Sequence, residues 1–206
     1  TSPHSPTGQF IHSGDVERVC SAASDAIVVL DEAYIHFAEF PGGLNLLRKH
    51  ENLIILRTFS KVYGLAGLRV GYAVSSPEIA ALLLRAKPTW NVSHLQVAGA
   101  MAALDDRDHF QKTIETNAAM RRYVTEELDT FNTLQLIPNS QANFFLLRIL
   151  DTDLSSTDVF ERLLNRAIIT KDCSDSFRGL GDRHLRIDVG LKPHMDALIE
   201  ALSEIC

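Results

Sequence analysis

The chain has 206 residues, 46 % of them hydrophobic and 22 % charged, with 20 Lys and Arg against 26 Asp and Glu for a net charge of -6. That composition suits a globular protein with a sizeable core, and its acidic balance argues against general nucleic-acid binding, which needs a basic surface to neutralise phosphates. No apolar stretch approaches the ~18 residues of a membrane span, no signal-peptide pattern opens the sequence, and Cys20, Cys173 and Cys206 lack CxxC spacing, as expected of reduced cytoplasmic thiols rather than a disulfide frame or zinc site.

The opening, "TSPHSPTG", is a turn-forming cluster with nothing before it to connect, so the first residue is expected to lie inside a longer chain. Residues 14–24 have helical spacing, with Val16, Val19 and Cys20 on one face. Three short apolar runs follow, "AIVVL" at 26–30, "NLIIL" at 52–56 and "VGYAV" at 70–74, and read as strands buried on both faces. "GGLNLLRKH" between them reads as a short helix or irregular link. The alternation predicts an α/β sheet with strands at least partly parallel.

The pattern changes after residue 76. Helices are expected at 77–87 and 93–104, separated by Pro88, and a long helix over 106–131 linking two lobes. Strands at 134–138 and 142–149, a helix at 156–166, strands at 168–170 and 185–189 and a last helix at 193–205 describe a small α+β lobe. The predicted organisation is a partial large domain (1–105), a linking helix (106–131) and a C-terminal small domain (132–206).

Chemistry concentrates at strand ends. Asp31, in "VVLDEAY", stands at the carboxyl end of the first strand, where open parallel sheets place their ligands; a strand-end cap is the ordinary alternative. Tyr34 lies three residues on, and a lone tyrosine is ordinarily half-buried packing. Lys61, in "RTFSKVYGLAGLRVGY", follows the second strand and reaches the same rim. A single lysine is usually a solvated charge, but this one has Thr58 and Ser60 hydroxyls, Gly64 and Gly67, and the planar fork of Arg69 around it, the makings of an anion site. A lysine beside an anion site, with an aspartate and a tyrosine at hand, is what pyridoxal phosphate requires: an amine to bond, an acid for its ring nitrogen, a donor at its phenolic oxygen and a phosphate cradle. Ser60 with Lys61 could instead form a hydrolase pair, but Arg69 and Asp31 then have no role and no GxSxG turn is present. The eight histidines show no metal-ligand spacing, so no metal site is expected.

"SPHSPTG", "VVLDEAY", "RTFSKVYGLAGLRVGY" and "LRIDVG", in this order, resemble the fold-type I pyridoxal-phosphate aminotransferases, and within them are most similar to the histidinol-phosphate aminotransferase family; "KPTWNVS" and "NSQANFFLLR" add to the likeness. The resemblance covers nearly the whole chain and matches the C-terminal half to two-thirds of such an enzyme. It implies a fold-type I large-domain portion with an α+β small domain, a cytoplasmic homodimer, and amino transfer between an amino-phosphate such as histidinol phosphate and 2-oxoglutarate. It implies that Lys61 bonds the cofactor and shuttles the proton, that Asp31 pairs with the ring nitrogen, and that Tyr34 contacts the phenolic oxygen. Ser60, Arg69 and Thr58 would hold the phosphate, and Arg186 would clamp the substrate carboxylate; taken alone, Arg186 reads as a strand-end salt bridge. Ser5 stands where the family usually has a longer asparagine, and Lys171 where many relatives have arginine, so the contact with a substrate phosphate would be a point charge without bidentate fit. "DCS…GLGD" also resembles threonine-phosphate decarboxylase, a relative using the same cofactor. The family's N-terminal part, with more of the phosphate loop and a stacking aromatic ring, has no counterpart in this sequence, so a chain that keeps the fold without turnover is a further reading, as is association through uncovered apolar surface.

Overall fold

Helix α1 (Ser13–Ala22) places Val16 and Cys20 four residues apart on one face and buries both. That face packs on one side of a three-stranded sheet in the computed structural model, which describes residues 1–151 and 153–206. Strand β1 (Val28–Asp31) runs parallel to β2 (Leu53–Thr58), with Val28 opposite Leu53 and Asp31 opposite Leu56. β3 (Gly71–Val74) pairs antiparallel on the other side of β2. Leu30, Leu46, Leu53 and Ile55 complete the core with α1, and Leu46 comes from a 3-10 turn, Gly43–Arg48. The Asn52 amide donates to the carbonyls of Cys20, Ala23 and Ala26, fastening the end of α1 to the start of the strands.

The expectation of strands buried on both faces holds for the start of β2, where Leu53, Ile54 and Ile55 are buried in succession, and fails for β1 and β3. Val29 is 52 % exposed and every residue of β3 up to Ala73 is exposed. Side chains alternate across a strand, and α1 with the Gly43–Arg48 turn covers the Leu30 and Ile55 side. Each run is also offset from its expected range by one or two residues.

Helix α2 (Pro77–Ala86) starts from a Ser76 cap with proline in its first turn, and α3 (His94–Asp105) from a Ser93–Gln96 capping box. These elements belong to the first of two compact units, Thr1–Pro3 with Phe10–Ile114; the second comprises His4–Gln9 with Glu115–Cys206. Helix α4 (Arg107–Leu128) contributes to both, since the division falls between Ile114 and Glu115.

The second unit holds an antiparallel sheet in the order β4-β5-β7-β6, from β4 (Leu134–Leu136), β5 (Phe144–Ile149), β6 (Lys171–Asp172) and β7 (His184–Asp188). Phe145, Leu147, Leu185 and Ile187 face Val124 and Leu128 of α4, Val159 and Leu163 of α5 (Ser156–Leu164) and Leu198 and Leu202 of α6 (Lys192–Ile205). Each such side chain taken out of water contributes roughly 1.5–3 kcal/mol, so this cluster is the main stabilising element of the unit. The strand expected at 168–170 lies instead at Lys171–Asp172. Ala167, at φ 60°, reverses the chain after α5, and Ile168 is used to pack the core before the ladder begins. Among the described residues no helix is long and apolar enough to cross a membrane, and no cluster of His, Cys, Asp or Glu has metal-binding geometry.

Candidate active site

Parallel pairing of β1 and β2 puts their carboxyl ends on one rim. Asp31 is the last residue of β1 and Thr58 the last of β2. Two-residue alternation sends both to the sheet face opposite Leu30 and Ile55. Asp31 Oδ1 accepts the Ala33 N–H at 2.9 Å, which turns the chain sharply towards Tyr34. Past Thr58, buried Phe59 and Val62 anchor a loop that leaves Lys61 half-buried between them. Gly64, at φ 70°, donates its N–H to the Lys61 carbonyl at 2.9 Å and closes the turn. The Lys61 ammonium then stands 5.0 Å from the centroid of the Tyr34 ring, within the range of a cation–π contact.

Thr58 and Ser60 hydroxyls share a 2.9 Å hydrogen bond, and Thr58 Oγ1 also accepts the Ser60 N–H at 3.0 Å. Arg69 sits in the left-handed region, φ 53°, directly after a 3-10 turn at Ala66–Leu68. Its Nη1 donates to Ala66 O at 2.9 Å, and the Gln96 amide pins the Leu68 and Arg69 carbonyls from α3. Arg69 as a whole is exposed. Asp31, Tyr34, Thr58, Ser60, Lys61 and Arg69 therefore all belong to the first unit.

Ser5, Lys171 and Arg186 belong to the second. Lys171 of β6 is opposite Arg186 of β7, so the two cations share one sheet face. Arg186 Nη1 lies 3.4 Å from Ser5 Oγ, Nη2 reaches Asp188 at 3.3 Å, and the guanidinium lies over the Phe144 ring at 5.0 Å. Its Nε is buried with no hydrogen-bond partner among the described residues. A buried donor of a charged group left open is costly, and a carboxylate is the acceptor whose shape fits that fork. Asp172, next to Lys171, accepts from the hydroxyls of Ser156, Thr157 and Ser174 at 2.7–2.9 Å and from Ser174 N–H at 3.0 Å. Burial works against its charge, but the donors of Thr157, Ser156 and Ser174 outweigh it and hold the carboxyl below its ordinary value.

Three residues behind the rim escaped the sequence reading. Glu32 is buried to 1 % and accepts Arg57 Nε and Nη2 at 2.9 and 2.7 Å. His36, among Tyr63 and Phe110 rings, is held down to about 4 by burial and, secondarily, by the Arg57 charge. The signal available was a glutamate inside "LDEAY" directly after an apolar run, with an arginine inside the next strand.

An α/β sheet presenting a lysine, an aspartate and a tyrosine at the carboxyl ends of parallel strands is the class of protein these features define. The sequence pattern of aminotransferase class I and II matches residues 1–202, and the chain belongs to that family. It is 38 % identical over 204 residues to a histidinol-phosphate aminotransferase of Methanothermobacter thermautotrophicus, covering 99 % of this chain and 54 % of that protein. A histidinol-phosphate aminotransferase of Sinorhizobium meliloti, solved in complex with pyridoxal-5'-phosphate, superimposes with a TM-score of 0.87 at 29 % identity, over 99 % of this chain and 55 % of that one. An L-threonine-O-3-phosphate decarboxylase of Porphyromonas gingivalis shares the fold, at TM-score 0.88 and 23 % identity over 99 % of this chain and 62 % of that one. The chain thus spans about half the length of the curated relatives it matches.

Proposed function

We propose that the protein is a pyridoxal-phosphate-dependent aminotransferase acting on an amino-phosphate such as histidinol phosphate, with 2-oxoglutarate as the amino acceptor. The observation that carries this reading is the Lys61 ammonium 5.0 Å from the Tyr34 ring, on the rim that Asp31 and Thr58 terminate. These residues fit the cofactor: an amine to bond it, a carboxylate at the strand end for its ring nitrogen, and hydroxyls of Thr58 and Ser60 with the exposed Arg69 for its phosphate. The relatives' names support the substrate class, and a related structure supports the cofactor.

When bound, the cofactor supplies an electron sink for the pair left on the substrate Cα as its proton departs. The chain's own part is assigned as follows. Asp31 keeps a proton on the ring nitrogen and so maintains that sink. Tyr34 orients the ring through its hydroxyl. Lys61 would hold the cofactor through its amine, and Nζ would serve as the base that takes the proton from the substrate Cα and carries it onward. Arg186 clamps the substrate carboxylate with its guanidinium, Ser5 lies beside it at 3.4 Å from Nη1, and Lys171 offers a point charge to the substrate phosphate. The first unit is then the cofactor-binding part of a large domain and the second the small domain. A cytoplasmic homodimer is the assembly proposed, in keeping with three unpaired thiols and with apolar side chains left uncovered.

The test is the visible absorption spectrum after incubation with pyridoxal phosphate, for the chain and for Lys61→Ala. A yellow band lost in the substituted chain, followed by glutamate formation from histidinol phosphate and 2-oxoglutarate, is the expected result. Carbon dioxide release from threonine phosphate would replace the aminotransferase reading with the decarboxylase one. No band in either chain would leave the protein a non-catalytic carrier of the fold.

A further inference from the structure

The rim has a back. Two-residue alternation places Glu32 and Arg57 on the face opposite Asp31 and Thr58, each adjacent in sequence to one of those two residues. Glu32 Oε2 takes two hydrogen bonds from Arg57, at 2.9 and 2.7 Å, and Oε1 takes the Gly43 N–H at 2.5 Å. One carboxylate therefore ties β1 to β2 and to the turn beneath them. The space is closed around it: a Cβ on Gly42 would stand 2.5 Å from Glu32 Oε1, so that position tolerates no side chain without moving the carboxylate. Glu32 N–H also bonds Leu56 O at 2.9 Å, continuing the parallel pairing one step past the last ladder residues.

We propose that Glu32 is a positioning residue for the candidate site: paired with Arg57, it holds the ends of β1 and β2 in register so that Asp31, Thr58 and Lys61 stay on one rim. The proposal rests on the reading of that rim as the cofactor site, and deepens it. The groups facing the pair are Gly43 N–H from the turn below, His36 from the next 3-10 turn (Ile35–Phe37) and Tyr72, opposite Arg57 on β3. The Arg57 charge also bears on His36, while its guanidinium bonds the Glu32 carboxylate. A buried ion pair of this kind contributes little net stability compared with an apolar replacement. Fixing one register among several is the better-attested use of such a pair.

Two amides report the rim directly, because each bonds to a rim side chain: Ala33 N–H to Asp31 Oδ1, and Ser60 N–H to Thr58 Oγ1. The experiment is amide hydrogen exchange on the full chain without cofactor, comparing the native sequence with Glu32→Gln and Glu32→Ala. Exchange at Ala33 and Ser60 is expected to rise about tenfold or more in both variants, a loss of local closure, while the strand amides of Ile54 and Ile55 keep their protection. Should Glu32→Ala fail to fold, Glu32→Gln, which preserves shape and the Gly43 contact, decides alone. Exchange that rises equally at Ile54, Ile55, Ala33 and Ser60, or at none of them, overturns the proposal and leaves Glu32 a general stabiliser. A second readout uses pyridoxal phosphate: borohydride reduction and mass analysis give its bonding to Lys61, and visible circular dichroism gives its orientation. Bonding retained with the dichroic band reduced several-fold in Glu32→Gln is expected; bonding and band both unchanged would overturn the proposal. If the native chain takes up no cofactor, the cofactor reading fails by itself, while the exchange measurement still decides the role of Glu32.

Discussion

His36 shows how one buried side chain can carry a pH dependence of stability. Burial and the Arg57 charge hold it down to about 4, against 6.5 for an ordinary imidazole. Between these values the unfolded chain binds a proton that the folded chain refuses, so stability falls as pH drops through that window and is fully present above it. We expect urea midpoints to decline from pH 6.5 towards pH 4.5, and His36→Gln to flatten that decline. Below that, the carboxylates whose values are lowered, Glu17 and Asp172 among them, are protonated in turn, and the stability they contribute is lost as pH falls past 3.8–4.5 and through their folded values. A native profile that matches the His36→Gln profile from pH 6.5 to 5 would remove His36 from the account. The same residue illustrates what the sequence shows and what it hides. Lys61 and Asp31 stand in quotable motifs next to apolar runs, and both lie where strand-end reasoning put them. Glu32, Arg57 and His36 owe their surroundings to tertiary contacts, 25 residues apart in the case of the ion pair, and no local spacing announces that.

At the scale of elements, Asp172 joins two that neither propensity nor pattern would link. Ser156 and Thr157 open α5, Asp172 ends β6, and Ser174 follows it, so the carboxylate ties the first turn of the helix to the sheet edge. Hydrogen bonds to a charged acceptor contribute about 1.5–3 kcal/mol. Asp172→Asn keeps the shape and surrenders the charge; a loss of about 2 kcal/mol in chemical unfolding is expected, with Ser174→Ala losing less because it removes one donor of several. Equal stability of Asp172→Asn and the native chain would show that solvent replaces those bonds at no net loss. Element boundaries were less legible than element types. The short β6 could not be placed from "AIITKD", because Ile168 serves the core instead of the ladder and the reversal at Ala167 leaves no residue signature. The apolar runs of the first sheet were recognised, but an apolar run does not say which of its faces a neighbour covers.

For the molecule as a whole, uncovered apolar side chains have a measurable result. Ile27 and Val29, Leu82 and Leu84 on α2, Leu95 and Met101 on α3 and Trp90 ahead of it are all more than half exposed, beyond the scattered single residues a monomeric surface carries. Light scattering should show mass rising with concentration, and Leu95→Lys with Met101→Lys should reduce it. A single monomeric mass across a hundredfold range of concentration would mean these side chains tolerate water.

Residues 4–9 open the chain yet belong with its last ninety. Gln9 Nε2 donates to Pro138 O at 2.7 Å, 129 positions further along the chain, and Gln141 N–H donates to Gly8 O at 2.8 Å. A ribosome adding about 5–20 residues per second releases Gln9 roughly 6–26 s before Pro138 exists. For that interval residues 4–9 have no place to dock, and the second unit cannot close until its strands and helices, through α6, have been made. The same threading means that residues 115–206, cut out as a contiguous gene, would encode a unit lacking one of its own pieces; a permuted gene that places residues 4–9 after Cys206 would restore it.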